Sequence, residues 1–156
     1  MADLRALVAG LGAEAVGTYL QSGNVVFRSA TARTELRAGI ERALADELGL
    51  EVAVLLRTPA ELERIAAGNP FAGVGRKELH VAFLSAEPDP ELVEALGPRP
   101  FPPDELRVAG EEAYLRYPKG LGRSKLSNAF LEKALGVRAT TRNWNTVTRL
   151  AELACE

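Results

Sequence analysis

Three observations predict an α+β fold. Apolar residues recur at helical spacing in several segments, short strand-forming runs alternate with them, and Gly, Pro and Asn punctuate the boundaries. In the second half the predicted elements run strand, helix, strand, strand, helix, strand, then a last helix. That is the βαββαβ order of ferredoxin-like folds. The first half runs helix, strand, strand, helix, strand, the same order without its first strand. The expectation is therefore two ferredoxin-like subdomains in tandem, the first missing its first strand, plus a C-terminal helix. Within the single unit 1–156, subdomain one is assigned to 1–57, a connecting helix and loop to 58–77, and subdomain two with the last helix to 78–156. The first strand of such a sheet is central, so its loss leaves unpaired backbone on either side. Either the gene product starts upstream of Met1 or a partner fills the slot.

The elements follow from local chemistry. Leu4, Leu7, Val8 and Leu11 share a helical face in Asp3–Leu11, and Gly12 stops it. Val16, Tyr19, Leu20, Val25, Val26 and Phe27 flank Ser22-Gly23-Asn24 as a hairpin. Thr31 is positioned to cap a helix that runs through Leu48, with Gly49 past its end. Glu51–Arg57 contains the continuous apolar run VAVLL and reads as a central strand. Thr58-Pro59 opens a short helix that ends before Asn69-Pro70, and the glycines of Phe71–Lys77 mark a loop. Glu78–Leu84 is a strand, with Leu79, Val81 and Phe83 on one face and Glu78, His80 and Ala82 on the other. Pro90–Leu96 is a short helix, and the prolines of GPRPFPPD forbid regular structure after it. Glu105–Val108 and Ala113–Tyr117 form a hairpin around Gly110. Ser124–Leu135 is a helix closed by Gly136, and Val137–Thr141 is a strand. Asn143 or Asn145 caps a last helix with Trp144, Val147, Leu150, Ala151 and Ala154 along one stripe.

Composition narrows the class. A 47 % hydrophobic, 26 % charged chain is neither disordered nor fibrous. No apolar run approaches the roughly eighteen residues a membrane span needs, and the N-terminus is too short and too polar for a secretory signal. The single Cys155 cannot form an internal disulfide, so a reduced cytoplasm is expected.

Charge is distributed unevenly. From Arg116 to Arg149 eight Lys/Arg face one Asp/Glu, a net of +7 in a chain of −2. Such a surface suits an anionic partner. Within it, Lys119-Gly120-Leu121-Gly122-Arg123-Ser124-Lys125 leads into a predicted helix. Glycines that turn backbone N–H groups outward, a helix N-terminus and the donors Lys119, Arg123, Ser124 and Lys125 make a recipe for holding phosphate. The same residues also make an ordinary glycine turn with Ser124 as N-cap, and the run matches no Walker or dinucleotide motif. Thr141, Arg142 and Asn143 sit at a strand-to-helix junction that a ferredoxin-like order brings near Ser124 and Lys125. Thr and Asn there also serve as caps. Trp144 belongs to the apolar stripe. Gln21, Ser22 and Asn24 at the hairpin tip form a second candidate. His80 stands without Cys or acidic residues at ligand spacing, so no metal is expected, and it reads as an ordinary sheet-face histidine. No nucleophile elbow or paired-carboxylate signature appears, so no catalytic residue and no cofactor are assigned.

Three stretches carry a resemblance: TYLQSGNVVF (Thr18–Phe27), KELHVAFL (Lys77–Leu84) and, above all, YPKGLGRSKLSNAFLEKALGVRATTRNWNTVTRL (Tyr117–Leu150). Together they resemble the bacterial domain-of-unknown-function family 1697. The resemblance covers the whole chain and implies a fold without an established activity. Members of that family usually begin with a hydrophobic strand and a short Gly-Ile-Asn-Val-Gly-Gly loop, which this chain lacks. The resemblance thus implies either that the start is assigned to an internal methionine or that the sequence is truncated.

Three functions follow. The first is a binding module that holds an anionic, phosphate-bearing ligand, a small molecule or nucleic acid, on the basic C-terminal surface. The RNA-binding aromatic signature of ferredoxin-like sheets is absent. The second is an enzyme acting on a phosphorylated or carboxylated metabolite, with Arg123, Lys125 and Arg142 orienting the anion and His80 the first candidate base. The third is an interaction protein that forms a homo-oligomer through its open sheet. No membrane partner is expected.

Overall fold

The computed structural model describes residues 2–12, 14–19, 24–51, 54–71, 75–120 and 124–154. They form a mixed α/β protein with six α-helices, a two-stranded sheet and a four-stranded antiparallel sheet. The chain divides into two compact units, 1–59 with 150–156, and 60–149. No helix among the described residues is long and apolar enough to cross a membrane.

The first unit contains α1 (Ala2–Gly10), β1 (Glu14–Tyr19), β2 (Asn24–Arg28) and α2 (Arg33–Leu48). β1 and β2 pair antiparallel, Tyr19 opposite Asn24, with a register shift between Glu14 and Gly17. Leu7 and Val8 of α1 are buried with Ile40 and Leu44 of α2, and Val25, Phe27, Val54 and Leu56 pack around them. α2 ends at Gly49, whose φ of 66° is the left-handed value that glycine adopts without cost; the N–H groups of Gly49 and Leu50 close on Ala45 and Leu44.

Two expectations for this unit change. Thr31 does not cap α2. The helix starts at Arg33, one residue later, from Ala32, which offers no side-chain cap, while the Thr31 N–H is taken by Ser29 Oγ. Residues 54–57 are not a central strand, and positions 52 and 53 lie outside the described residues. The apolar run is used in packing, but no described strand lies alongside to complete a ladder. Side chains serve its backbone instead: Glu41 Oε2 accepts the Val54 N–H at 3.4 Å, and Arg57 Nη1 donates to the Leu56 carbonyl at 2.8 Å.

The second unit holds most of α3 (Pro59–Ala67), then β3 (Leu79–Leu84), α4 (Pro90–Leu96), β4 (Glu105–Ala109), β5 (Glu112–Arg116), α5 (Asn128–Leu135), β6 (Ala139–Asn143) and the start of α6 (Trp144–Ala154). Its sheet order is β4-β5-β3-β6, antiparallel throughout. β3 pairs on both sides and is buried on both faces; Val81, Ala82 and Leu84 are fully inaccessible. A polar face containing Ala82 was expected and is not found, because helices cover both sides. Ala82 and Leu84 face a core built with Leu106, Ala113, Leu115, Tyr117, Leu126 and Leu131, against which α4 also packs through Val93 and Leu96. On the opposite face Tyr114 donates its hydroxyl to the Ile65 carbonyl of α3 at 2.8 Å. Burying each such leucine or valine contributes roughly 1.5–3 kcal/mol, so β3 and its neighbours dominate the stability of this unit.

The helix ends show why two boundaries shift. Ser127, not Ser124, caps α5: its backbone is extended (φ −87°, ψ 168°) and its Oγ accepts the Phe130 N–H at 3.1 Å. Ser124 is committed to a turn, accepting the Leu126 N–H at 2.9 Å, which keeps 124–126 out of the helix. β6 begins at Ala139 instead of Val137, because Gly136 ends α5 in the left-handed conformation and Arg138 first bonds both ways with Ser85. Asn143 caps α6, its Oδ1 accepting the Thr146 N–H at 2.8 Å.

A close approach between α3 and the sheet yields a test. A Cβ at Gly68 would meet the Tyr114 hydroxyl at 2.9 Å and the Arg64 carbonyl at 3.1 Å. Gly68→Ala is expected to cost roughly 1–3 kcal/mol by overpacking, read by urea denaturation. In a Tyr114→Phe background, where the hydroxyl is gone, the same substitution should cost less; an equal cost would place the strain at the Arg64 backbone alone.

Candidate functional site

The basic turn lies between β5 and α5, and its stem is described on both sides. Tyr117, just past β5, donates its N–H to the Glu78 carbonyl at 2.7 Å and its hydroxyl to the Leu126 carbonyl at 2.7 Å. Tyr117 and Leu126 are almost wholly buried, at 1 % and 0 % exposure. Burial pushes the Tyr117 phenol far above its usual range, and the negative charge of Asp104 adds to that shift. The hydroxyl is thus a permanent proton donor. Gly120 has φ 87°, a conformation that favours glycine, and its N–H turns inward to the Tyr117 carbonyl at 3.0 Å. It does not point outward, as the anion recipe had it. Leu121, Gly122 and Arg123 lie outside the described residues.

Ser124 is fully engaged. It donates to buried Asp104 Oδ2 at 2.5 Å and accepts from the Leu126 N–H. Its proton therefore points into the protein. Lys119 and Lys125, at the two ends of the turn, are exposed, and neither is in an ion pair among the described residues. Arg116 and Arg138 of the stretch are neutralised, whereas Lys133 on α5 is exposed like the two lysines. Arg116 reaches Glu105 at 3.1 Å and Glu78 at 3.8 Å, and Arg138 reaches Glu132 at 3.3 Å. Glu105, held also by Arg99 at 2.7 Å, has its carboxyl below the usual range, chiefly through hydrogen bonds from Arg99 and then Arg116.

The second cluster is split by the sheet. Thr141 stands opposite Ala82 and donates its hydroxyl to Asn128 Oδ1 at 2.9 Å, while Asn128 Nδ2 donates to the Ala139 carbonyl. This pair ties the start of α5 to β6. Arg142 stands opposite Val81 and so belongs to the other sheet face. It is half-buried, its Nη1 donates to the Thr141 carbonyl at 3.0 Å, and desolvation lowers its pKa. Asn143 is the cap of α6. The structure thus places Lys119 and Gly120 just before residues 121–123 and Ser124 and Lys125 just after them, and sends Thr141 and Arg142 to opposite faces. Gln21 and Ser22 lie outside the described residues. Asn24 is the buried first residue of β2 and belongs to the first unit.

His80 is not on a polar face. It is half-buried, its ring meets Tyr117 edge-on at 5.1 Å, and its Nδ1 is buried without a hydrogen-bond partner. Its neighbours across the strands are Leu115 and Asn143, with no carboxylate among them. No cluster of three metal-ligating side chains occurs among the described residues. Asp104, Tyr117 and Asn128, which shape the turn and the start of α5, escaped sequence reading. Asp104 closes a proline-rich breaker and lies twenty positions from Ser124, so no local spacing joins them.

These features define a mixed α/β protein built on a four-stranded antiparallel sheet, with a basic turn at the end of one of its inner strands. The chain belongs to the family described as protein of unknown function (DUF1697), whose match spans residues 1–114. The match stops at Tyr114, before the basic turn. Among solved structures it is similar to the conserved bacterial protein SP0830 from Streptococcus pneumoniae, at 19 % identity and a TM-score of 0.75, over 99 % of this chain and 88 % of that one. No curated protein matches the chain.

The histidine gives a pH dependence. Desolvation lowers its pKa, partly offset by the Glu78 backbone. Above the free-histidine range, about pH 6.5, both folded and unfolded states are neutral and stability is unaffected. As pH falls through that range the unfolded chain takes a proton that the folded chain refuses, so stability drops until the lowered folded pKa is passed. Urea midpoints of wild type and His80→Gln should diverge between about pH 7 and pH 5, with wild type losing more. Parallel curves would show an imidazole that titrates normally in the fold.

Proposed function

We propose that this chain is a cytoplasmic binding module that holds a phosphate-bearing polyanion at the basic turn between β5 and α5. On the same reading its two units are ferredoxin-like subdomains in tandem, the first lacking its first strand. The sheet order β4-β5-β3-β6 supports this for the second unit. One observation carries the ligand reading: among the described residues Lys119 and Lys125, on either side of residues 121–123, remain exposed and outside ion pairs, where Arg116 and Arg138 nearby in sequence are neutralised.

Magnitude selects the ligand class. An exposed lysine contributes on the order of 0.2–1 kcal/mol to an ion pair, whereas micromolar binding needs about 8 kcal/mol. Two such lysines cannot hold a lone phosphate. A ligand carrying many phosphates engages further cations and gains from counterion release, so single-stranded nucleic acid suits this turn better than a small metabolite.

The test is an anisotropy titration of labelled single-stranded RNA at low and moderate salt, comparing wild type with Lys119→Ala/Lys125→Ala. Binding should weaken with salt, and the double variant should lose about tenfold or more with a shallower salt slope. A folded wild-type chain that does not bind at low salt would sink the reading.

A further inference from the structure

Beneath the turn lies a set of polar contacts that the ligand reading does not itself require. Asp104 is 6 % exposed and stands at the start of β4, with the Ser124 hydroxyl on its Oδ2. The Ser124 Oγ holds the Leu126 N–H, and the Leu126 carbonyl holds the Tyr117 hydroxyl, nine positions back along the chain. Tyr117 is fixed in turn by its N–H to the Glu78 carbonyl and by a T-shaped contact with the His80 ring. The contacts run from Asp104 through Ser124 and Leu126 to Tyr117, inside the core that Leu115, Leu126 and Leu131 build. They clamp the stem of the turn from below.

We propose that Asp104 and Tyr117 are the positioning residues of the basic turn. They set where Lys119 and Lys125 stand without touching the ligand, and the inference rests on the anion-binding reading of that turn. An ionised carboxylate can only accept hydrogen bonds. Asp104 therefore orients the Ser124 proton inward and frees the Ser124 lone pair for Leu126. The tyrosine, whose hydroxyl is buried in the core, closes the other end. A carboxylate under a basic turn also opposes any anion bound above it. That second effect separates positioning from mere stability. Asp104→Asn keeps an acceptor for Ser124 while removing the charge, and Asp104→Ala removes both.

Two readouts on the full chain decide the matter. The first is amide hydrogen exchange without ligand, at Gly120, Lys125 and Leu126 against the amides of β3. Asp104→Ala and Tyr117→Phe should each speed exchange in the turn by about tenfold and leave β3 protected, while Asp104→Asn should stay near wild type. The second is the RNA titration. Asp104→Ala should bind more weakly than wild type, and Asp104→Asn should bind at least as tightly. Ser124→Ala cuts the same contact from the other side and replaces Asp104→Ala if that variant does not fold. Unchanged exchange in the turn in all variants would overturn the inference. Faster exchange in a chain that binds no RNA in any form would leave the positioning role standing and overturn the ligand reading.

Discussion

The second unit depends on the double burial of β3. This strand pairs with β5 on one side and β6 on the other, and both its faces are covered. A strand in that position has every backbone group satisfied by ladders and every apolar side chain removed from water. Its order in the sheet then dictates much else. β5 must end beside Glu78, where the Tyr117 N–H finds its acceptor, and β6 must enter along the opposite edge, which places Thr141 against Asn128 at the start of α5. The first unit has no described strand in the corresponding role, and residues 54–57 correspondingly turn to Glu41 and Arg57 for hydrogen bonds.

The two faces of the sheet do different work. One is closed by α4 and α5 over a nearly pure apolar core, into which Tyr117 and Asp104 bring the polar contacts that hold the basic turn. The other meets α3 through Tyr114, with Gly68 small enough to admit the tyrosine hydroxyl and with Arg64 near the buried Glu112 at 3.9 Å. Alternation along β6 divides Thr141 from Arg142 between these faces. A pocket that needs both side chains on one side is therefore not available to this register.

Electrostatics is redistributed by folding. The net charge of +7 over Arg116–Arg149 is a sum along the chain, and contacts with residues far away in sequence dilute it. Glu78 and Glu105 meet Arg116, Glu132 meets Arg138, and Arg142 is drawn into partial burial. What is left exposed is narrower than the sum: among the described residues of the turn, Lys119 and Lys125. A small exposed set of flexible lysines favours contact with a long anion over enclosure of a small one.

Much of this protein was legible from its residues alone. Apolar periods marked α1, α2 and α6, cap, proline and glycine signals marked α3 and α5, the alternation of LHVAFL marked β3, and Gly110 marked the β4–β5 turn, because these signals are local: hydrophobic period, cap and turn chemistry act within a few residues. The family was legible from resembling stretches, of which Thr18–Phe27 and Lys77–Leu84 lie within the matched residues 1–114. Tertiary structure decided what local rules leave open. It gave the cap of α5 to Ser127 because Ser124 had a stronger claim from Asp104, twenty residues away. It denied residues 54–57 a strand despite their composition, since a strand needs a neighbour and composition cannot supply one. It buried His80 against Tyr117, sorted Thr141 from Arg142, and chose which lysines remain in water. Each of these outcomes is set by a partner distant in the chain, and pairing at a distance is fixed only when the sheet closes.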